Sequence, residues 1–130
     1  MIYGIGTDIV QIARIRAALD RHGEAFAARV LAQGEWGEWQ QQADRNQARF
    51  LAKRFAAKEA FGKALGIGLS PPATLRALGV QHDEQGKPGF TYDETLAAYM
   101  RSNALTALLS LTDEKDYAVA FAVIERREET

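Results

Sequence analysis

Two acidic residues in this sequence stand where a carboxylate could take part in chemistry. Asp8 shares one face of a predicted strand with Gly4 and Gly6, so its carboxylate lies beside bare backbone that a ligand could approach. Glu59 lies on the flank of a long predicted helix, one turn before Lys63. Such a pair of carboxylates could hold Mg2+, which usually takes one or two of them and completes its shell with water and substrate phosphates.

Each of these residues also has an ordinary structural explanation. The face with Gly4 and Gly6 could mark a strand that passes closely over a helix, with Asp8 capping the helix that follows. Glu59 and Lys63 could form a surface ion pair in the favourable order, worth roughly 0.2–0.5 kcal/mol. The residues by themselves leave both interpretations open.

Basic residues near these carboxylates indicate a ligand that contains phosphate. Arg54 and Lys63 would suit phosphate oxygens, although Arg54 and Lys58 could instead be snorkelling out of an apolar helix boundary. The sequence has no Walker-type glycine loop and no G-x-G-x-x-G run leading into a helix. His22 and His82 lack metal-ligand spacing, and the absence of cysteine excludes disulfides and thiolate metal sites.

Hydrophobic periodicity predicts the elements that must position these side chains. The central element is a helix from Asp44 to about Leu65, ended by Gly66, with a bulky apolar arc and a broad alanine face that another element can approach closely. The other elements, in chain order, are a strand at 2–10, a helix from about Ile12, short helices before Asp44, strands at 74–82 and 88–92, a helix ending near Asn103, and strands at 105–112 and 117–124.

Composition predicts one globular domain, residues 1–130. The net charge of −1 gives no global basic field, which argues against binding of bulk nucleic acid or a membrane surface. The amino-terminal MIYGIGTDIV has no basic region ahead of its apolar residues, so it does not read as a signal peptide, and no apolar run is long enough to span a bilayer. We therefore expect a soluble cytoplasmic protein.

Several motifs resemble those of the holo-acyl-carrier-protein synthases, which are the short, single-repeat phosphopantetheinyl transferases. The matching runs are GIGTDIV (4–10), RFAAKEA (54–60), KALG (63–66), SLTD (110–113) and YA (117–118), with GKP (86–88) as a further family-like loop. Their order and spacing fit over nearly the whole chain. The resemblance implies an α+β fold of the 4'-phosphopantetheinyl transferase type, in which an antiparallel sheet packs around one long helix.

The resemblance also implies an activity and a site. The enzyme would move the 4'-phosphopantetheine group of coenzyme A onto a serine of an apo-acyl carrier protein, with Mg2+ as cofactor and 3',5'-ADP as leaving group. Asp8 and Glu59 would be the Mg2+ ligands, and Lys63 would contact the substrate phosphates. Glu59, or water on the metal, is the leading candidate to accept the serine proton.

Further contacts to coenzyme A are implied at Arg54, at Gly66 and in the Lys87-Pro88 loop. The sequence departs from the family pattern at two places. Ile67 replaces a threonine that is frequent between the two glycines of this loop, and Asp113 stands where many members have histidine. A histidine-based role at that corner is therefore not expected here.

Arg14 and Arg21 form a basic stripe on the helix after Asp8, which could be an ordinary solvated face. Because acyl carrier proteins are acidic, the resemblance makes this stripe the predicted docking surface for the carrier.

The last two strands are apolar on both faces, which indicates that both faces are covered. The long helix can cover one face, and the alanine face suits packing against another subunit, so we expect a homo-oligomer unless short local elements cover the second face. The resemblance narrows this to a homotrimer with sites between subunits. Asp8 and Glu59 would come from one subunit, and the Arg54 and Lys87 region from the next.

Two other functions fit the same residues. A non-catalytic nucleotide- or phosphate-sensing domain would keep the basic residues without needing both carboxylates. A Mg2+-dependent pyrophosphate hydrolase would use water in place of the carrier serine.

Overall fold

The structure of the protein is a computed structural model that describes residues 1–128. The last two residues of the predicted domain, 129 and 130, lie outside the described residues. The elements are β1 (Ile2–Gln11), α1 (Ile12–His22), α2 (Glu24–Val30), a 3-10 turn (Gln33–Glu35), α3 (Trp36–Gln40), α4 (Asp44–Leu65), β2 (Leu78–His82), β3 (Pro88–Tyr92), α5 (Glu94–Ser102), β4 (Leu105–Asp113) and β5 (Tyr117–Arg126).

The strands form two antiparallel sheets. β1, β5 and β4 lie side by side in that order, and β2 pairs with β3 as a hairpin. Helix α4 packs across the three-stranded sheet, while Phe61 of α4 contacts Phe90 and Tyr92 of the hairpin. The predicted α+β fold, with an antiparallel sheet around one long helix, is confirmed. No helix within residues 1–128 has the length and apolarity that a membrane crossing requires.

β1 lies unusually close to α4 because two glycines face the helix. A Cβ placed on Gly6 would lie 2.7 Å from the Ala64 nitrogen and 2.8 Å from the Lys63 Cβ, and it would overlap the carbonyl oxygen of Ala60. A Cβ on Gly4 would overlap the carbonyl oxygen of Ala64 in the same way. The bare glycine face therefore accommodates the protein's own helix, as the structural alternative in the sequence analysis proposed.

The alanine face of α4 is buried within the same chain. Ala56 and Ala60 have no exposed surface, and the facing β5 residues Ala118, Ala120 and Ala122 are equally buried. The expectation that this face packs against another subunit was wrong. Small residues on both partners let the helix approach its own sheet closely, so no alanine surface is left for a second chain.

The opposite, outer face of the sheet is apolar and exposed. Ile5 and Ile9 of β1 are 59% and 63% exposed, and Phe121 of β5 and Leu108 of β4 are 40% and 46% exposed. The β1–β5 register places Ile5 opposite Val123 and Ile9 opposite Val119, so these side chains form one continuous surface. The alternative that local elements cover this face is wrong for the chain over residues 1–128.

Most element bounds lie within two residues of the sequence-based expectation, and the largest difference is in the hairpin. The first strand of the hairpin begins at Leu78 rather than at 74. The residues before it form a turn. In this turn the Ala77 N–H donates both to the Thr74 carbonyl oxygen and to the Thr74 hydroxyl oxygen, each at 3.2 Å. Thr74 thus satisfies the backbone locally, and the strand starts only after this turn.

The contact between β1 and α4 predicts the effect of a single methyl group. Gly6→Ala should lower the free energy of unfolding by at least about 1–3 kcal/mol, because the atoms that the new methyl group meets are helix backbone and cannot move away cheaply. Chemical denaturation measures this change. Gly37→Ala in α3 is the matched control: its Cβ meets nothing within 4 Å, so it should raise stability by about 0.5–1 kcal/mol. Equal effects of the two substitutions would contradict the close packing.

Candidate active site

The two residues predicted to bind a metal and the lysine predicted to contact phosphate beside it meet in one cleft. Asp8 at the end of β1 and both Glu59 and Lys63 of α4 line a cavity of about 460 Å3 that is bounded by α1 and α2. The remaining lining residues are mostly apolar: Ile9, Val10, Arg14, Ile15, Ala18, Phe26 and Phe55. Asp8 lies two positions after Gly6 and therefore on the same face of the strand, so the close packing of β1 on α4 also brings the carboxylate to the helix.

Lys63 forms an ion pair with Asp8 rather than with Glu59. Its Nζ lies 3.2 Å from Asp8 Oδ1 and donates to the Thr7 carbonyl at 2.9 Å. The expected surface pair between Glu59 and Lys63 does not form within the part of the chain that the structure describes. Asp8 does not cap α1 either, since Gln11 is the N-cap, and the Gln11 side chain accepts no capping hydrogen bond. Asp8 is thus oriented toward the cleft.

Glu59 carries a carboxylate whose charge is unfavourable in this setting. Burial in the cleft raises its pKa, the nearby Asp8 charge raises it further, and Lys63 opposes both. A carboxylate whose charge is disfavoured by burial and by a neighbouring carboxylate is a donor that a bound cation would stabilise. Asp8 and Glu59 are therefore the residues of this cleft that could hold a divalent ion.

The number of donors indicates which ion the cleft could hold. Among residues 1–128 no three or more His, Cys, Asp or Glu side chains cluster as a complete metal site. Two oxygen donors suit Mg2+, which retains water and binds substrate phosphates, better than Zn2+, which prefers four protein ligands or three in a catalytic site.

The other predicted contacts to coenzyme A lie outside this cleft in the single chain. Gly66 ends α4 with a left-handed φ of 91°, three residues after Lys63. Lys87 is exposed at the tip of the β2–β3 hairpin, where its N–H donates to Asp83 Oδ1 at 2.9 Å, and Pro88 begins β3. None of these three residues lines the cleft of its own chain.

Arg54 and Lys58 are buried, so the alternative that they snorkel to solvent is wrong. The Arg54 guanidinium lies over the Phe50 ring at 3.8 Å from its centroid. Its Nη2 lies 3.1 Å from Glu38 Oε1 and its Nε 3.3 Å from Glu35 Oε2. Burial lowers the pKa of Arg54, and both carboxylates oppose that shift. Its charge is already paired inside the chain, and its contact to coenzyme A stays a prediction.

Sequence reasoning missed Glu35, whose buried carboxylate accounts for these two cations. Lys58 is fully buried and donates to Glu35 Oε1. The signal that could have found it is the pair Arg54 and Lys58, one helical turn apart inside an apolar arc. Buried cations require a carboxylate partner, and Glu35 stands beside Trp36 and Trp39 at the start of a short helical segment.

Arg14 and Arg21 are both exposed on α1. Together with Ala17, Ala18 and His22 they line a shallow depression, and Arg14 and Ala18 also line the cleft. The basic stripe therefore runs continuously to the mouth of the cavity that holds Asp8.

Asp113 anchors the turn between β4 and β5. Its Oδ2 accepts a hydrogen bond from Arg49 Nη1 at 2.9 Å, and its Oδ1 lies 3.5 Å from Lys53 Nζ. Arg49 Nη2 also donates to the Lys115 carbonyl at 3.0 Å. The acidic residue at this corner thus ties the turn to α4.

Comparisons with known proteins agree with this fold. The family model described as the 4'-phosphopantetheinyl transferase superfamily matches residues 4–122. A holo-[acyl-carrier-protein] synthase of Azoarcus sp. (strain BH72) is 63% identical over 127 residues, which cover 98% of this chain and 100% of that protein.

Two solved structures are similar over nearly their whole length. The crystal structure of holo-[acyl-carrier-protein] synthase from Neisseria meningitidis matches with a TM-score of 0.92 and 43% identity, covering 97% of this chain and 100% of that one. A holo-(acyl-carrier-protein) synthase from Bacillus anthracis str. Ames, in complex with CoA (3',5'-ADP), matches with a TM-score of 0.83 and 32% identity, covering 98% and 99%.

Proposed function

Because the chain belongs to the 4'-phosphopantetheinyl transferase superfamily, we propose that it transfers the 4'-phosphopantetheine group of coenzyme A to a serine of an acidic acyl carrier protein in the cytoplasm. The observation that carries this proposal is the cleft in which Asp8, Glu59 and Lys63 meet. The names of the relatives state the same activity, and the Bacillus anthracis complex with CoA supports the donor. The family match over residues 4–122 supports one catalytic domain spanning 1–130.

Asp8, Glu59 and Lys63 each have a role in this reaction. Asp8 and Glu59 would hold Mg2+, which when bound neutralises charge on the pyrophosphate of coenzyme A. Lys63 is half exposed, so its ammonium can turn from Asp8 to a phosphate oxygen and stabilise the charge that builds on the leaving group. The serine oxygen bonds to the phosphorus next to pantetheine, the bond from that phosphorus to 3',5'-ADP breaks, and Glu59 accepts the serine proton.

A transfer assay tests this function against hydrolysis and ligand sensing. Incubation with coenzyme A, Mg2+ and an apo-acyl carrier protein should add the mass of phosphopantetheine to the carrier, read by mass spectrometry. Glu59→Gln keeps the shape of the side chain and removes its charge, so it should reduce transfer by about 100-fold or more. Glu94→Gln, on the exposed surface of α5, is the matched control and should transfer normally.

The other outcomes of the assay point to the alternative functions. Release of pantetheine phosphate without labelling of the carrier would indicate a hydrolase, and no reaction would leave a sensor. Normal activity of Glu59→Gln at limiting Mg2+ would contradict the assignment of this residue as a metal ligand.

We propose that the carrier docks on the stripe formed by Arg14 and Arg21. Both side chains are exposed, and the stripe ends at the cleft where the serine must arrive. Exposed positive charges attract an acidic partner and orient it before contact. The apolar floor between them, from Ala17 and Ala18, offers a surface that a carrier side chain can contact.

Reversing the charge of this stripe should weaken carrier binding selectively. Arg14→Glu combined with Arg21→Glu should raise the KM for carrier by about tenfold or more and leave the KM for coenzyme A nearly unchanged. The wild-type KM for carrier should also rise with salt, because exposed charges are screened. Arg101→Glu with Arg127→Glu changes the net charge equally at exposed positions outside α1 and should have little effect. Equal effects of the two double variants would place docking elsewhere.

We further propose that the protein is a homotrimer whose sites lie between subunits. The exposed apolar outer face of the sheet, with Ile5, Leu108 and Phe121, supports an interface, because an isolated chain would leave this surface in water. Gly66, Lys87 and Pro88 do not line the cleft of their own chain. In the trimer, Lys87 and Pro88 of a neighbouring subunit would reach the coenzyme A bound beside Asp8. Arg54 would join them if its guanidinium left Glu38.

Two measurements test the assembly and the shared site. Light scattering should give about three times the chain mass of 14.3 kDa. Leu108→Asp combined with Phe121→Asp should dissociate the assembly, because it places charge in the apolar face. After subunit exchange, a mixture of Glu59→Gln and Lys87→Ala proteins should regain part of the lost activity. A monomeric wild-type mass would refute the assembly, and a trimer without rescue would refute the shared site alone.

A further inference from the structure

Lys58 sits immediately before Glu59 in α4 but points into the protein interior. It is fully buried, and its ammonium uses all three of its donors: to the Val30 carbonyl at 2.7 Å, to the Leu75 carbonyl at 3.1 Å and to Glu35. Burial lowers the pKa of this lysine, and the Glu35 charge opposes the shift. A fully satisfied buried ammonium holds each of its partners at a defined distance from α4.

Glu35 completes this connection. Its Oε1 accepts from the Ala32 N–H at 2.9 Å as well as from Lys58, and its Oε2 accepts from the Val80 N–H at 2.9 Å. The carboxylate thus fixes the segment that follows α2 and the first strand of the hairpin. Two side chains therefore join α2, the 3-10 turn, β2 and α4.

Helix α2 depends on such anchoring. It has seven residues, too few to be stable alone, and Gly23 alone separates it from α1. Its residue Phe26 lines the cleft together with Asp8, Glu59 and Lys63. The carbonyl that Lys58 holds belongs to Val30, the last residue of α2. The position of Phe26 is therefore set from the carboxyl end of its own helix.

We propose that Lys58 is a positioning residue that fixes α2 against α4 and thereby sets the Phe26 wall of the cleft. This inference rests on the proposed transfer function for its kinetic consequence, although the anchoring itself can be measured without it. An apolar residue of similar length would fill the same volume and lose the bond to Val30. Burying a charged residue here costs free energy. In return, the ammonium makes hydrogen bonds to the end of α2 and to the segment that follows it.

A double-mutant cycle tests whether Lys58 acts through Phe26. Lys58→Met and Phe26→Ala should each lower kcat/KM by about 10- to 100-fold, since small displacements of a cleft wall have effects of this size. The kcat/KM of the double variant should be no lower than that of the less active single variant, because the second change removes an interaction that is already lost. If the two losses multiply in the double variant, Lys58 does not act through Phe26 and the proposal is overturned.

Amide hydrogen exchange provides a readout that does not depend on transfer. Lys58→Met should speed exchange across residues 24–31. Met100→Ala, in the buried face of α5, is the control for general destabilisation and should leave these amides unchanged at the same loss in melting temperature. Slow exchange of residues 24–31 in Lys58→Met would overturn the proposal.

A compensated variant separates positioning from stability and remains informative if Lys58→Met fails to fold. Glu35→Gln combined with Lys58→Met removes the carboxylate charge that Lys58 balances, while Arg54 keeps Glu38 as an ionic partner, so the double variant should regain part of the melting temperature. Its activity should stay low and its α2 amides should still exchange fast. Recovery of activity together with stability would show a purely structural role and overturn the proposal. If the wild-type protein itself transfers nothing, the proposed function fails, and the exchange data still decide the positioning.

Discussion

The close approach of β1 to α4 is the contact on which the rest of the structure depends. Gly4 and Gly6 present no side chain to the helix, and the helix presents alanines to the strand at this point. The two backbones are therefore in direct contact. Asp8 follows two residues later on the same face of the strand. The distance between Asp8 and Lys63 is therefore set by the two glycines, which let this part of β1 approach the helix. The polar chemistry of the cleft rests on an apolar contact between the smallest residues.

Two successive residues of α4 point in different directions, one into the protein interior and the next into the cleft. Lys58 and Glu59 are neighbours in sequence, and about 100° of helical rotation sends the lysine to Glu35 and the glutamate to the cleft. The helix is therefore anchored by a charged network at the turn that carries Glu59. Asp113 and Arg49 tie the amino-terminal half of the same helix to the sheet. Movement of α4 relative to the three-stranded sheet would disturb the contact between Arg49 and Asp113.

The sequence predicted what depends on local periodicity and missed what depends on distant partners. The bounds of α4 and the positions of most strands followed from spacing and capping residues. The structure places Asp8, Glu59 and Lys63 in one cleft, and their roles there stay predictions. The partner of Lys63 was not local, since the sheet supplies Asp8 across 55 positions. Glu35 could not be identified from local periodicity, because the cations that it pairs with, Arg54 and Lys58, lie far away in sequence on α4. The alanine face was assigned to the wrong neighbour for the same reason: residue size predicts a close contact, not which element makes it.

Side chains of β1 alternate between the two faces of the sheet, so an insertion in this strand changes which residues face α4. Even-numbered positions from Gly4 to Val10 face α4, and odd-numbered positions such as Ile5 form the outer face. Inserting one residue between Gly6 and Asp8 would exchange the two sets, turning the carboxylate away from the cleft. Inserting two would keep the faces but move Asp8 by roughly 6.6 Å along the helix. Length variation compatible with this chemistry is therefore confined to segments outside β1.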